Sequence, residues 1–393
     1  MEDNRPKPLE RKVIASPEDY FPTSPNLEIV GTFNAGAIEI KNKNGTLENW
    51  LLVRVAQTPI QDNPNKIKLP YFKIPDKKNK KLEIKFDSYP KRIIKETEKD
   101  VTIPGGENQE PRYRMKHISL PMLLKLDSKG NIIERQQKPA IYPTYEFDRF
   151  GIEDVRITPF EDGNFLLTYV VPHRKFGVST MALMTKDFKN YETLSKNNTP
   201  RPIITGVKDV IFFPEKISSP SETSIIKKGG KIYAAFIRPN AFHEISEAGI
   251  WISYSPDLIH WGQEHRLTPE NGPTTGSGTP PIKIGNKWLA AYHETRKIEK
   301  NKNEYVTKIM MMDAEQPWKN FRNSDILETR KDYRELLPEN GYVEETVFAS
   351  GLTINDGIAT IYSGIGDKWE AYSKYYAEDL IKFTNSLIKK NYF

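Results

Sequence analysis

The chain has 393 residues, 37% of them hydrophobic and 11% aromatic, with no cysteine. That is enough apolar material for a real core, so wholesale disorder is excluded, as are disulfides, thiolate metal sites and cysteine nucleophiles. The net charge of +6 is interspersed with acids rather than gathered on one face with interleaved aromatics, so no nucleic-acid partner is expected.

In chain order, residues 1–30 read as an extended lead-in rich in proline and charge. Its start, MEDNRPKPLERKV, is polar and is not a signal peptide. The expected location is therefore the cytoplasm, or the periplasm if a leader has been removed. A first hairpin spans about 33–57, in GAIEIKNKNGTLENWLLVRV. A long, loop-rich insertion follows over 58–120, carrying the lysine run at 77–81 and, near its end, a strand-like piece at 117–126. Insertions of that length are functional or mobile loops; the lysine run reads as a solvated loop.

Four further hairpins follow, over about 154–191, 209–261, 279–312 and 347–372. The five tight turns carry Asn44-Gly45, Asp162-Gly163, Gly229-Gly230, Gly285-Asn286 and Asp356-Gly357. Such pairs tolerate the positive φ of tight hairpins, and their flanks are β-rich. Recurring hairpins of this kind predict an all-β, five-bladed β-propeller in one domain over 1–393. The tail AEDLIKFTNSLIKK has apolar residues at helical spacing and is expected to cap the domain as a short helix. No apolar run approaches the roughly 20 residues of a membrane span.

The chemistry gathers at matching places in the hairpins. Second strands are expected to finish with Arg54, Arg238 and His293, and first strands to begin just after Asn34, Asp154 and Asp209. Equivalent blade ends converge on a propeller's axis, so these groups would line one funnel suited to a polyhydroxylated or anionic ligand. Each taken alone is as readily a strand-end residue satisfying local backbone. The six histidines show no HxxxH or HxH spacing, which argues against a tightly bound metal, and no cofactor is implied.

The segments FNAGAI with LLVR, GIEDVRI, KDVIFFPEKI, the RP of FIRPN, GIWISYSPDLIHWG, GSGTPPIK, YHE and YSGIGD, in that order, resemble glycoside hydrolase family 130, the mannoside phosphorylases and mannosidases. The resemblance implies a five-bladed propeller acting on β-mannosides with inversion. It implies that Asp154 is the proton donor, working through a sugar hydroxyl. It also implies that Asn34, Arg54, Arg156 and Asp367 surround the mannose on the non-reducing side of the cleaved bond. Arg forks and carboxylates suit vicinal hydroxyls. Ser255-Pro256-Asp257 reads as a turn, with Trp261 packing on the core, and Glu153 and Glu215 read as structural.

Departures from the family pattern fall where phosphorylases hold phosphate. The usual Arg-Asn is Lys208-Asp209, a lysine is Thr274, and the glycine after His293 is Glu294, while Arg238 and His293 are kept. Added carboxylates would repel a phosphate dianion. An inverting hydrolase instead needs a base across the sugar from the acid, with roughly 6.5–9.5 Å between them. Glu294 is the first expectation for that base, Glu244 and Glu247 the second, and Glu345, at a position usually Asn, the third; each reads alternatively as a surface carboxylate or an ion-pair partner. The expected function is hydrolysis of β-mannosides, with a manno-oligosaccharide, β-1,2-linked, as partner. Phosphorolysis is the alternative, and an inactive glycan-binding propeller the second. The sequence leaves oligomeric state open, a homo-oligomer included.

Overall fold

The computed structural model describes residues 4–74, 82–97, 99–105, 110–173, 177–194, 201–221, 229–239, 248–270, 272–299, 302–338 and 340–386. It is nearly all β, with one short α-helix, Ala377–Ser386, near the C-terminus. The lysine run at 77–81 and both Glu244 and Glu247 lie outside the described residues.

Five antiparallel sheets carry the chain. The first runs in the order Leu27–Lys41, Leu47–Pro59, Ile118–Asp127, Ile132–Pro139. The second begins with Glu153–Pro159, Phe165–His173 and Gly177–Thr185; the third with Val207–Phe212, Lys231–Pro239 and Trp251–Ser255. The fourth begins with Thr275–Ser277, Lys287–Glu299 and Lys302–Asp313. The fifth holds Val347–Asn355, Ile358–Ile365 and Trp369–Tyr376, and takes its fourth strand, Glu10–Ala15, from the other end of the chain.

Inner strands bury both faces over much of their length, which is why WLLVRV and WLAAYH read as nearly continuous apolar runs. Alternation along Leu47–Pro59 sends Leu51, Val53 and Val55 into the core shared with Tyr362 and Tyr372 of the fifth sheet. It sends Leu52 into the core shared with Val155 and Leu167 of the second. Similar layers join second to third through Leu166, Phe212 and Ile237, and third to fourth through Phe236, Trp288 and Met310. Fourth and fifth meet through Leu289, Ile309 and Ile361, where Leu380 and Phe383 of the terminal helix also pack.

The turns follow their sequence. Asn355 pairs with Ile358 across a two-residue loop whose Asp356 and Gly357 take φ of 47° and 76°, the left-handed pair that matches strand twist. Trp261 packs 5.6 Å from Phe212. Three expectations need correction. The second strands do not finish at Arg54 and His293 but run on to Pro59 and Glu299. The first strands do not start after Asn34, Asp154 and Asp209; they start at Leu27, Glu153 and Val207, and the polar residues lie inside them. The 58–120 insertion is not chiefly loop. It holds the pair Lys66–Lys73/Glu83–Pro90 and the three strands Lys95–Glu96, Asp100–Ile103 and Arg112–Met115, then supplies the third strand of the first sheet.

Candidate active site

Three first strands carry the same defect. In each the ladder slips so that two residues face one: Asn34-Ala35, between the Phe33↔Arg54 and Gly36↔Leu52 pairs; Asp154-Val155, between Glu153↔Val170 and Arg156↔Thr168; and Asp209-Val210, between Lys208↔Arg238 and Ile211↔Phe236. The leading residue of each bulge is left-handed, with φ of 54°, 49° and 54°. Asn and Asp tolerate that region where branched residues do not. A bulge re-aims a side chain out of the pleat, and all three point into one cavity of about 370 Å³. Asp367, at φ 48° in a turn of the fifth sheet, lines it too.

Arg54 organises one side. Its Nη1 donates to Asp154 Oδ1 at 2.8 Å, Nη2 to Glu153 Oε1 at 2.7 Å, and Nε to Ser119 Oγ at 3.0 Å. Asn34 Nδ2 donates to the same Asp154 oxygen at 3.0 Å. Asp154 Oδ2 thus makes no hydrogen bond among the described residues and is the oxygen left for a ligand. Burial alone would push the Asp154 carboxyl up, but Arg54 and Arg156 pull it down to about 2. Arg156 sits beneath, bonded through Nε to Gly278 O at 2.7 Å and through Nη1 to Asp154's own carbonyl at 2.9 Å.

The other side is cationic. Arg238 Nε lies 2.7 Å from Asp209 Oδ2. His293, fully buried, has Nε2 3.3 Å from Arg238 Nη1 and stacks 4.3 Å from Phe348. Burial first, then Arg238 and Lys208, hold its pKa well below the usual range, so the ring is neutral. A side chain at Gly276 would collide with both Asp209 and the His293 ring, so glycine is needed there. Lys208 lines the cavity with no ion pair among the described residues; burial first, then Arg238, lowers it to about 8.

Of the expected residues, Asn34, Arg54, Asp154, Lys208, Asp209, Arg238 and Asp367 line one cavity. Arg156 and His293 lie behind it. Glu294 and Glu345 are not in its lining: Glu294 meets Lys308 at 3.0 Å and Glu345 meets Lys302 at 3.4 Å. Successive residues of a strand face opposite ways, so a buried His293 on the cavity side turns Glu294 from it. Glu153, read as structural, lines the cavity as Arg54's second partner, whereas Glu215 makes a surface ion pair with Lys283. Sequence reasoning missed the insertion's contribution, above all Lys99, whose Nζ lies 2.6 Å from Asp367 Oδ2, together with Tyr113 and His117. The MKHISL stretch that begins a strand was the one available signal.

Residues 112–386 match the family whose description is β-1,4-mannooligosaccharide phosphorylase. The chain is 30% identical over 374 residues to the β-1,2-mannobiose phosphorylase of Listeria innocua serovar 6a, covering 91% of this chain and 92% of that one. This chain belongs to glycoside hydrolase family 130. A second family-130 relative, the β-1,4-mannooligosaccharide phosphorylase of Ruminococcus albus, is 27% identical over 45% of this chain and 50% of its own. Among solved structures, the Listeria innocua enzyme in complex with β-1,2-mannobiose superposes with a TM-score of 0.75 at 26% identity, over 94% of this chain and 96% of that one. Another family-130 structure, described in terms of glycoside hydrolases that target β-1,2 mannosidic linkages in Candida mannan, gives 0.55 at 13% identity over 95% and 94% of the two chains. At that identity it supports the fold alone.

Proposed function

We propose that this family-130 chain is a β-mannoside phosphorylase acting on β-1,2-linked mannobiose, built as a five-bladed propeller. The sheet-to-sheet cores that run from first to fifth and back to first support the propeller. The observation that carries phosphorolysis is the orientation of Lys208 and Arg238 into the cavity while Glu294 turns away to Lys308. Hydrolysis drew on Glu294 both as a repulsive neighbour of phosphate and as a base. Neither role fits a carboxylate paired with Lys308 outside the cavity lining.

In this reading the phosphate dianion is held by Lys208 and Arg238, which supply charge-assisted hydrogen bonds. One phosphate oxygen attacks the anomeric carbon as the glycosidic C–O bond breaks on the opposite face. The departing oxygen takes the proton that Asp154 supplies through a sugar hydroxyl. The products are α-mannose-1-phosphate and mannose. Asn34, Arg54 and Asp367 hold the mannose that is transferred.

One observation favours hydrolysis as second reading: Asp209 already neutralises Arg238 at 2.7 Å, which lowers the positive charge a phosphate would meet. Incubation with β-1,2-mannobiose, with and without phosphate, separates the two. Mannose-1-phosphate formed only with phosphate supports phosphorolysis. Free mannose as sole product in both tubes establishes the hydrolase, and no product in either overturns both.

A further inference from the structure

One buried acid outside the residues assigned above is tied to the site through the backbone. Glu370, on Trp369–Tyr376, is 0% exposed. Its Oε2 accepts the Ala35 N–H at 3.1 Å, and its Oε1 is buried without a hydrogen-bond partner. Glu370 stands opposite Gly364 in the ladder, and a side chain at Gly364 would run into Asn34. The Ala35 carbonyl accepts Ser350 Oγ at 2.9 Å. Ala35 is the second residue of the Asn34 bulge, where the regular ladder is interrupted. Both of its backbone polar groups are thus held by side chains of the fifth sheet, as a bulge buried between two sheets requires. A left-handed Asn34 stays in place only while its surroundings over-determine it.

We propose that Glu370 is a positioning residue: through the Ala35 N–H it fixes the bulge that aims Asn34 Nδ2 at Asp154 Oδ1. It touches neither substrate nor the reacting atoms. The chain of contacts is Glu370 to Ala35, Asn34 to Asp154, and it spans the fifth, first and second sheets. This inference rests on the reading of Asp154 as the acid.

The test is a double-mutant cycle on mannobiose phosphorolysis, with thermal unfolding measured for every variant. Glu370→Ala is expected to lower kcat by tenfold or more, on the order of the losses a 1 Å misplacement produces, with little change in KM. Glu370→Gln keeps a carbonyl oxygen for Ala35 N–H and is expected to stay within about twofold, the scale of a retained hydrogen bond. In an Asn34→Ala background Glu370→Ala should cost almost nothing further, because coupled sites are not additive. If Glu370→Ala fails to fold, Glu370→Met, of similar volume and without an acceptor, replaces it. Full additivity with Asn34→Ala overturns the proposal, as does a Gln variant as impaired as the Ala one at unchanged Tm. Asp154→Asn runs alongside. If it keeps wild-type turnover, the reading of Asp154 falls and this inference with it; if it is inactive while Glu370→Ala and Glu370→Met match wild type, only the inference falls.

Discussion

Arg54 Nη1 lies 2.8 Å from Asp154 Oδ1, and that ion pair keeps the carboxyl ionised in the free protein. A donor held at about 2 carries almost no proton at neutral pH. An anion bound beside Lys208 and Arg238 would offset the cationic field and move Asp154 upward. In the proposed phosphorolysis, phosphate would therefore have two roles, as nucleophile and as the charge that lets Asp154 take up its proton.

Asp154→Asn is accordingly expected to abolish turnover, by two to four orders of magnitude on the scale of general acid catalysis, while Tm and mannobiose binding change little. Steady-state rates and calorimetric titration check this. Near-wild-type turnover would move the acid elsewhere.

Lys208 gives a pH signature. Burial lowers its ammonium to about 8, so it is charged below that pH and neutral above it. The KM for phosphate should rise about tenfold per pH unit above 8, the slope of one lost proton. Lys208→Arg should remove that rise, because a guanidinium stays charged. A phosphate KM flat to pH 9.5 in the wild type would place Lys208 outside phosphate binding.

Glu294→Gln tests the base. With its carboxylate on Lys308 at 3.0 Å, the variant should keep turnover within about threefold and lose roughly 1–3 kcal/mol of stability, since Lys308 is left unpaired. Glu244→Gln and Glu247→Gln belong in the same assay. Loss of activity in any one of the three, at unchanged Tm, would bring back the hydrolytic base.

What could be read in advance followed the repeats. Asn34, Asp154 and Asp209 stood out because each precedes an apolar run at a matching place, and the structure explains the recurrence by a bulge repeated in three sheets. Arg54 and Arg238 were legible for the same reason: each faces the residue just before a bulge, Phe33 and Lys208. Glu294 was expected beside the sugar without regard to the two-residue period, which turns a neighbour of His293 the opposite way, to Lys308. Lys99 and Tyr113 were illegible because the docking of an insertion depends on contacts far away in sequence. Strand Ile118–Asp127 was legible as the strand-like piece at 117–126, but its pairing with Leu47–Pro59 as the third strand of the first sheet was not, for the same reason.

Glu370 offers a stability test independent of turnover. Burial raises its carboxyl from 4.5 to about 8, with Arg156 opposing and Asp154 adding to the rise. Tyr20 and Tyr362 also feel its charge. Its raised value favours the folded state fully below pH 4.5, and that contribution is lost as pH climbs to about 8. Glu370→Gln, which does not titrate, should therefore gain on the wild type across this window, by up to about 1.4 kcal/mol per pH unit. Chemical denaturation at pH 5, 6.5 and 8 measures the gap, and a constant difference would show that Glu370 is ionised throughout.

The pairing of Glu10 with Lys374 sets a schedule for biosynthesis. Strand Glu10–Ala15 leaves a ribosome long before Trp369–Tyr376, its sheet partner among the described residues. Until Trp369–Tyr376 emerges, the nascent chain carries an unpaired, partly apolar edge whose Ile14 and Ala15 are destined for the core. Contacts this distant in sequence make folding slow and leave such an edge open to wrong partners. The fifth sheet can take Glu10–Ala15 only after Trp369–Tyr376 has been made, so a product stalled or truncated before that strand would leave Glu10–Ala15 unpaired and would be a substrate for chaperones rather than an enzyme.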